Sequence, residues 1–171
     1  SEEYPPFFFY EEGKDNGFTY DLITVMAKEA SIPIKFSSAE SWIEHQRQLE
    51  NEEVDVLTDV SITSDRKDKY LFSHPYFSSR MVIATKSNGV FIDISLNGLK
   101  NKKVATIAEY AVTDLLSDKH PEIRLTNVSN AVEGLKQVIA GESDAYIGNE
   151  TLINHYIERS VLEGITLTPI V

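Results

Sequence analysis

Hydrophobic and polar positions alternate in blocks whose period switches along the chain. Residues 18–31 place Leu22, Val25, Met26 and Ala30 at intervals of three and four, the spacing of one helix face. Asp15-Asn16-Gly17 reads as a turn ahead of this helix, and Pro33 ends it. Ile34 to Phe36 is a short strand candidate. Ser41 then opens a second helix carrying Trp42, Ile43 and Leu49. Val54 to Leu57 is an apolar, β-branched run suited to a buried parallel strand. Met81 to Thr85 predicts another strand, and Lys86 to Gly89 a polar break. Strands are then expected at 104–107, 125–128, 145–147 and 165–171, with helices at 111–117, 131–140 and 151–159 between them. Strands alternating with helices at this spacing predict βαβ units and an α/β fold. The interruption between the two series suggests two lobes, 1–85 and 86–171, joined by hinge strands near 81–85 and 167–171.

Composition changes this picture by exclusion. The chain has 171 residues, 42% hydrophobic and 25% charged, the balance of a globular domain. Its net charge of −11 repels phosphate backbones, so nucleic acid is not an expected partner. Cysteine is absent, which removes thiol catalysis, iron–sulfur clusters, zinc fingers and disulfides together. The four histidines, His45, His74, His120 and His155, are scattered without metal-ligand spacing, so neither a metal nor a cofactor is expected. No apolar run approaches the roughly 20 residues of a membrane helix. The chain reads as an excerpt of a longer protein, with any signal peptide or anchor outside it.

Several short motifs stand in a telling order: Tyr4-Pro5-Pro6-Phe7, Gly17-Phe18 with Asp21-Leu22, Val54-Asp55-Val56, Thr63 with Arg66, and Phe72-Ser73-His74-Pro75-Tyr76. Leu99 to Val104 and Gly141 to Tyr146 continue the series. In this order they resemble the family-3 extracellular solute-binding proteins. The resemblance implies a two-lobed clamshell of the type 2 periplasmic-binding-protein kind that holds a small polar ligand, such as an amino acid or carboxylate, between its lobes. It also implies a first strand ahead of Tyr4 and a C-terminal return segment, both apparently missing here, which would leave the first lobe incomplete. Asp55 to Arg66 is one residue shorter than in transport-type members, and Ala108-Glu109-Tyr110-Ala111 stands where those carry a Gly-Ser or Gly-Thr pair. Both features look like the clamshell domains of bacterial sensor histidine kinases.

The resemblance makes Arg66 the expected anchor of an anionic ligand group, because a guanidinium pairs bidentately with a carboxylate. The plainer alternative is a surface arginine paired with Asp59, Asp65 or Asp68. Ser61 and Thr63 would contribute from the same segment, Thr63 as a helix cap. Tyr4 and Trp42 fall where the family often sets aromatics around the ligand, with core packing as the alternative; Tyr76 is expected to pack near the hinge. In the second lobe, the backbone N–H groups of Tyr110 and Ala111 begin a helix and could receive an anion, although Glu109 opposes this. Asn149 stands where amino-acid-binding members carry an Asp for the ligand ammonium; an amide lacks that charge, and the neighbouring Glu150 is a candidate substitute.

The expected function is therefore that of an extracytoplasmic sensing domain, part of a membrane-anchored signalling receptor at the outer face of a bacterial inner membrane. A dimer of the full-length receptor is compatible with it. A free periplasmic protein delivering amino acids or other polar solutes to an ABC transporter is the alternative. A dehydratase-type enzyme on the same fold ranks below both, since Glu109 and Glu150 are the only candidate acid–base groups and nothing pairs them.

Overall fold

The computed structural model describes residues 3–89, 93–160 and 162–170. Two units follow one another along the chain, Ser1–Leu71 and Phe72–Val171.

In the first unit, strands β1 (Phe9–Glu11) and β2 (Lys14–Asn16) form an antiparallel ribbon. Asp15 and Asn16 thus lie in a strand, and the turn falls earlier, at Glu12 and Gly13 with φ 52° and 80°. Helix α1 (Phe18–Ala30) follows directly. Its first N–H groups have no intrahelical partner, and no side chain caps them; Phe18 N donates to Pro6 O (3.0 Å) and Thr19 N to Phe7 O (2.9 Å). The Tyr4-Pro5-Pro6-Phe7 motif is therefore the cap of α1. The approach is so close that a Cβ on Gly17, at φ 116°, would lie 2.3 Å from the Phe7 carbonyl oxygen.

Helix α2 (Trp42–Glu50) is opened by Ser41, whose Oγ accepts from Glu44 N at 3.2 Å. A single turn, α3 (Ser64–Lys67), is opened by Thr63. The segments at 34–36 and 54–57 have no ladder partner among the described residues, so the two strands expected there do not form. The apolar face read along α1 is consequently open, with Val25 at 58% and Met26 at 56% exposure, and Val56 at 71%.

The second unit is a five-stranded sheet in the order β5-β4-β6-β3-β7. Strands β3 (Met81–Lys86), β4 (Lys103–Ile107), β5 (Arg124–Val128), β6 (Ala145–Asn149) and β7 (Ile165–Pro169) alternate after β3 with α4 (Ala111–Lys119), α5 (Ala131–Ala140) and α6 (Glu150–Ser160). β4 runs parallel to β5 and β6, while β3 is antiparallel to both β6 and β7. The segment expected near 81–85 to join two lobes is thus a central strand of this sheet. The Val171 end of the last predicted strand lies outside the described residues. Both faces of β3 and β6 are buried, which is why they read as unbroken apolar runs. Ile83, Leu99, Val104, Val112, Leu116, Ile123, Ala145 and Ile147 form one cluster. Tyr146, 1% exposed, packs so tightly that a Cβ on Gly134 of α5 would lie 2.4 Å from its ring and one on Gly148 would lie 2.8 Å from it.

α5 shows how local chemistry sets an element's ends. Asn130 Oδ1 accepts from Glu133 N (2.9 Å), and Glu133 reaches back to Ser129 N (2.9 Å) and to the Ser129 hydroxyl. Gly141 closes the helix in the left-handed conformation at φ 77°. Those bonds hold the Glu133 carboxyl below its ordinary value, the Ser129 hydroxyl foremost.

Candidate functional site

The first unit carries three of the expected ligand residues, Ser61, Thr63 and Arg66, on one turn. Thr63 is in extended conformation, and its hydroxyl accepts from Arg66 N at 3.3 Å, which starts α3. The turn folds Arg66 back, so that Nη1 donates to Ser61 O at 3.3 Å and Cζ lies 5.0 Å from the centroid of the Trp42 ring. A cation at this distance over an indole is attracted by the ring quadrupole. Trp42 Nε1 is buried with no hydrogen-bond partner among the described residues.

Arg66 and Trp42 are held in register by a second contact that no sequence pattern indicates. Tyr70 Oη lies 3.5 Å from both Gln46 Oε1 and Glu50 Oε1. Trp42, Gln46 and Glu50 recur every four residues on α2, and Arg66 and Tyr70 share that spacing, so one helical face meets one turn. Removal from water, followed by the charge of Glu50, pushes the Tyr70 hydroxyl above its ordinary value.

Asp59 is a further structured residue that the sequence motifs do not single out. It adopts φ 58°, and its Oδ1 accepts from the hydroxyl of Thr19 at 2.6 Å. Thr19 is fully buried at the start of α1, so this bond ties the 58–62 loop to the helix. A positive φ for Asp is uncommon but tolerated, and nothing in its sequence neighbourhood signals it. Tyr4 is half-buried and its ring stacks on Phe7, with centroids 5.3 Å apart.

In the second unit, Tyr110 is the residue before α4 and has no side-chain cap bond; its own N–H donates to Ile107 O (3.3 Å). Ala111 is the first helical residue, and Glu109 precedes them in the left-handed region at φ 59°. Asn149 has local work. Its Oδ1 accepts from Thr151 N (2.9 Å), Leu152 N (3.2 Å) and Ser79 Oγ (2.9 Å), which makes it the cap of α6. Glu150 accepts a two-point contact along one edge of the Arg80 guanidinium, from Nε at 2.9 Å and Nη2 at 3.0 Å. Tyr76, expected to pack, is 40% exposed. Among the described residues no group of three His, Asp or Glu side chains gathers to hold a metal ion. No helix among them is long and apolar enough to cross a membrane.

The mixed α/β sheet of the second unit, with its helices between the strands, has the architecture of solute-binding proteins. Residues 1–145 match the bacterial extracellular solute-binding proteins, family 3, and the chain belongs to that family. It is similar to a probable histidine-binding protein of Neisseria gonorrhoeae, with 29% identity over 95% of this chain and 61% of the relative. A probable amino-acid-binding protein of Bacillus subtilis is 28% identical over 92% of this chain and 60% of its own length. The virulence sensor protein BvgS of Bordetella pertussis is 21% identical over 88% of this chain, which corresponds to 12% of that protein. The chain thus spans about 60% of the length of the first two relatives. Among solved structures, an ancestral arginine-binding protein bound to arginine matches with a TM-score of 0.84 and 26% identity, covering 96% of this chain and 74% of the other. The BvgS VFT2 domain of Bordetella pertussis shares the fold, with a TM-score of 0.84 at 20% identity, covering 98% of this chain and 72% of the other.

Proposed function

We propose that the chain binds a small polar solute bearing a carboxylate, an amino acid in the first instance, with Arg66 as the anchor of the anionic group. The observation that carries this is the Arg66 guanidinium lying over Trp42 on the turn that Thr63 caps. A guanidinium already positioned over the indole and bonded to the Ser61 carbonyl loses less side-chain entropy when a carboxylate docks. Ser61, Thr63 and Trp42 complete this set in the first unit; Tyr4, Tyr110 and Ala111 are its proposed additional members. The amino-acid-binding relatives support the ligand class.

In this reading the domain is the extracytoplasmic sensing part of a membrane-anchored bacterial signalling receptor. The short Asp55–Arg66 spacing and the sensor relative favour it. A free solute-binding protein serving a transporter is the second reading, favoured by the two binding-protein relatives. A kinase module encoded in the same gene selects the first, and its absence the second.

The test is a thermal-shift screen of amino acids, organic acids and polyamines on wild type and Arg66→Ala. Ligand that binds only the folded state raises the melting point in proportion to RT ln(1 + [L]/Kd). Wild type is expected to shift with at least one carboxylate ligand and the variant with none. Equal shifts in both would remove Arg66 from the site.

A further inference from the structure

We propose that Tyr70 is a positioning residue for Arg66, its hydroxyl tying the turn that carries the guanidinium to Glu50 and Gln46 of α2; the assignment rests on the solute-binding reading above. A single helical turn does not hold itself together, because its nucleus fixes several dihedrals for one hydrogen bond. α3 spans four residues and none of them is buried, so its geometry has to come from contacts beyond it. Thr63 secures the first end by accepting from Arg66 N. Tyr70, half-buried, secures the other. Its N–H donates to Arg66 O at 2.8 Å, and Lys69 N donates to the same oxygen at 3.1 Å, so the backbone of Arg66 is tied directly to that of Tyr70.

From there the Tyr70 side chain reaches α2, with Oη 3.5 Å from Gln46 Oε1 and 3.5 Å from Glu50 Oε1. A phenol has one proton to donate, and the charged acceptor makes the stronger bond at equal distance. The hydroxyl remains a donor: removal from water and then the Glu50 charge raise its pKa, while Arg66 acts in the opposite sense. The guanidinium therefore lies within electrostatic reach of the same hydroxyl. α2 thus grips the turn at two points, Trp42 at the guanidinium and the Gln46–Glu50 pair at the phenol. An arginine held in place before the ligand arrives loses less freedom on docking, so the grip enters the affinity although Tyr70 itself touches no ligand.

Tyr70→Phe keeps the ring and removes the hydroxyl. Gln46→Met combined with Glu50→Met removes both acceptors at nearly constant side-chain length; Gln46→Ala with Glu50→Ala serves if that background folds poorly. Binding of L-arginine, L-histidine, L-glutamine and succinate would be measured by calorimetry on the full chain. Tyr70→Phe is expected to weaken whichever of these wild type binds by about three- to tenfold, the scale of one hydrogen bond. In the acceptor-free background the same substitution is expected to change affinity by less than about twofold, since the cycle separates the contact from the loss of the Glu50 charge. Trp42 emission of the ligand-free protein, excited where tyrosine does not absorb, is expected to shift in Tyr70→Phe in the direction that it shifts in Arg66→Ala. Wild-type emission in folded Tyr70→Phe, an affinity within about twofold of wild type, or an equal loss in both backgrounds would overturn the assignment and leave Arg66 as the anchor. A wild-type chain that binds none of the four probes overturns the solute-binding reading and this assignment with it.

Discussion

Removing the side chain of Asn149 tests whether this residue is a helix cap. In Asn149→Ala, the N–H groups of Thr151 and Leu152 lose their acceptor at the start of α6, where no helical carbonyl can replace it. Such a cap is worth about 1 kcal/mol, within a range of roughly 0.5–2. The Ser79 hydroxyl also loses a partner but keeps its 3.2 Å contact with Thr151 Oγ1, so its loss adds little. The expected total is about 1–2 kcal/mol of destabilisation. Asn149→Asp keeps all three acceptor bonds and places a negative charge at a helix N-terminus, where it contributes about 0.3–1 kcal/mol. Repulsion from Glu150 is small because Arg80 already neutralises it. The predicted stability order is therefore Asp at or above Asn, and both above Ala. Urea unfolding followed by far-ultraviolet circular dichroism measures this directly, with m-values unchanged if only the native state is affected. An alanine variant as stable as wild type, or an aspartate variant less stable than alanine, would refute the capping argument and return Asn149 to the list of ligand groups.

Two further substitutions probe the scaffold. Gly134→Ala drives a methyl against the buried Tyr146 ring, which the close approach of Gly148 on the same ring prevents from moving aside. Overpacking costs about 1–3 kcal/mol and the better helix propensity of Ala returns up to about 1, so urea melts should show a net loss of about 1–2 kcal/mol; no loss would contradict the packing. Ser129→Ala removes the main bond that lowers the Glu133 pKa. A depressed carboxylate contributes stability above its unfolded value, and that contribution is lost as pH falls through the folded one. The gap between wild type and Ser129→Ala in pH-dependent melts should therefore be present at pH 7 and close as pH drops below the ordinary value of 4.5; a gap that widens in acid would contradict it.

The parts of the fold that could be read in advance are those whose determinants are local. α5 carries Asn130, Glu133 and Gly141 at or beside its own ends, and its expected limits coincide with those observed. Strands β3 and β6 of the second unit read as apolar runs because both their faces are covered. Residues 34–36 and 54–57 have the same strand-like composition, but a strand exists only through a partner's backbone, and no local pattern supplies that. The Trp42–Arg66 approach was visible only as two separate candidates. Asn149 was singled out by the family resemblance; its capping of α6 was not legible in advance, because one of the three donors that converge on it is Ser79, seventy residues away. Asp59 was read only as a possible partner of Arg66, because its backbone conformation and its bond to Thr19, forty residues away in the chain, leave no trace in the pattern.

The most direct test of solute binding at Arg66 uses a probe already in place. Trp42 is the sole tryptophan of the chain, and its ring lies 5.0 Å from the Arg66 guanidinium carbon. A carboxylate docking on Arg66 alters the charge facing that indole. Titration with carboxylate-bearing amino acids is predicted to give a saturable change in tryptophan emission with at least one of them in wild type, and none in Arg66→Ala. A ligand whose binding is registered by calorimetry but leaves Trp42 emission unchanged would contradict the account.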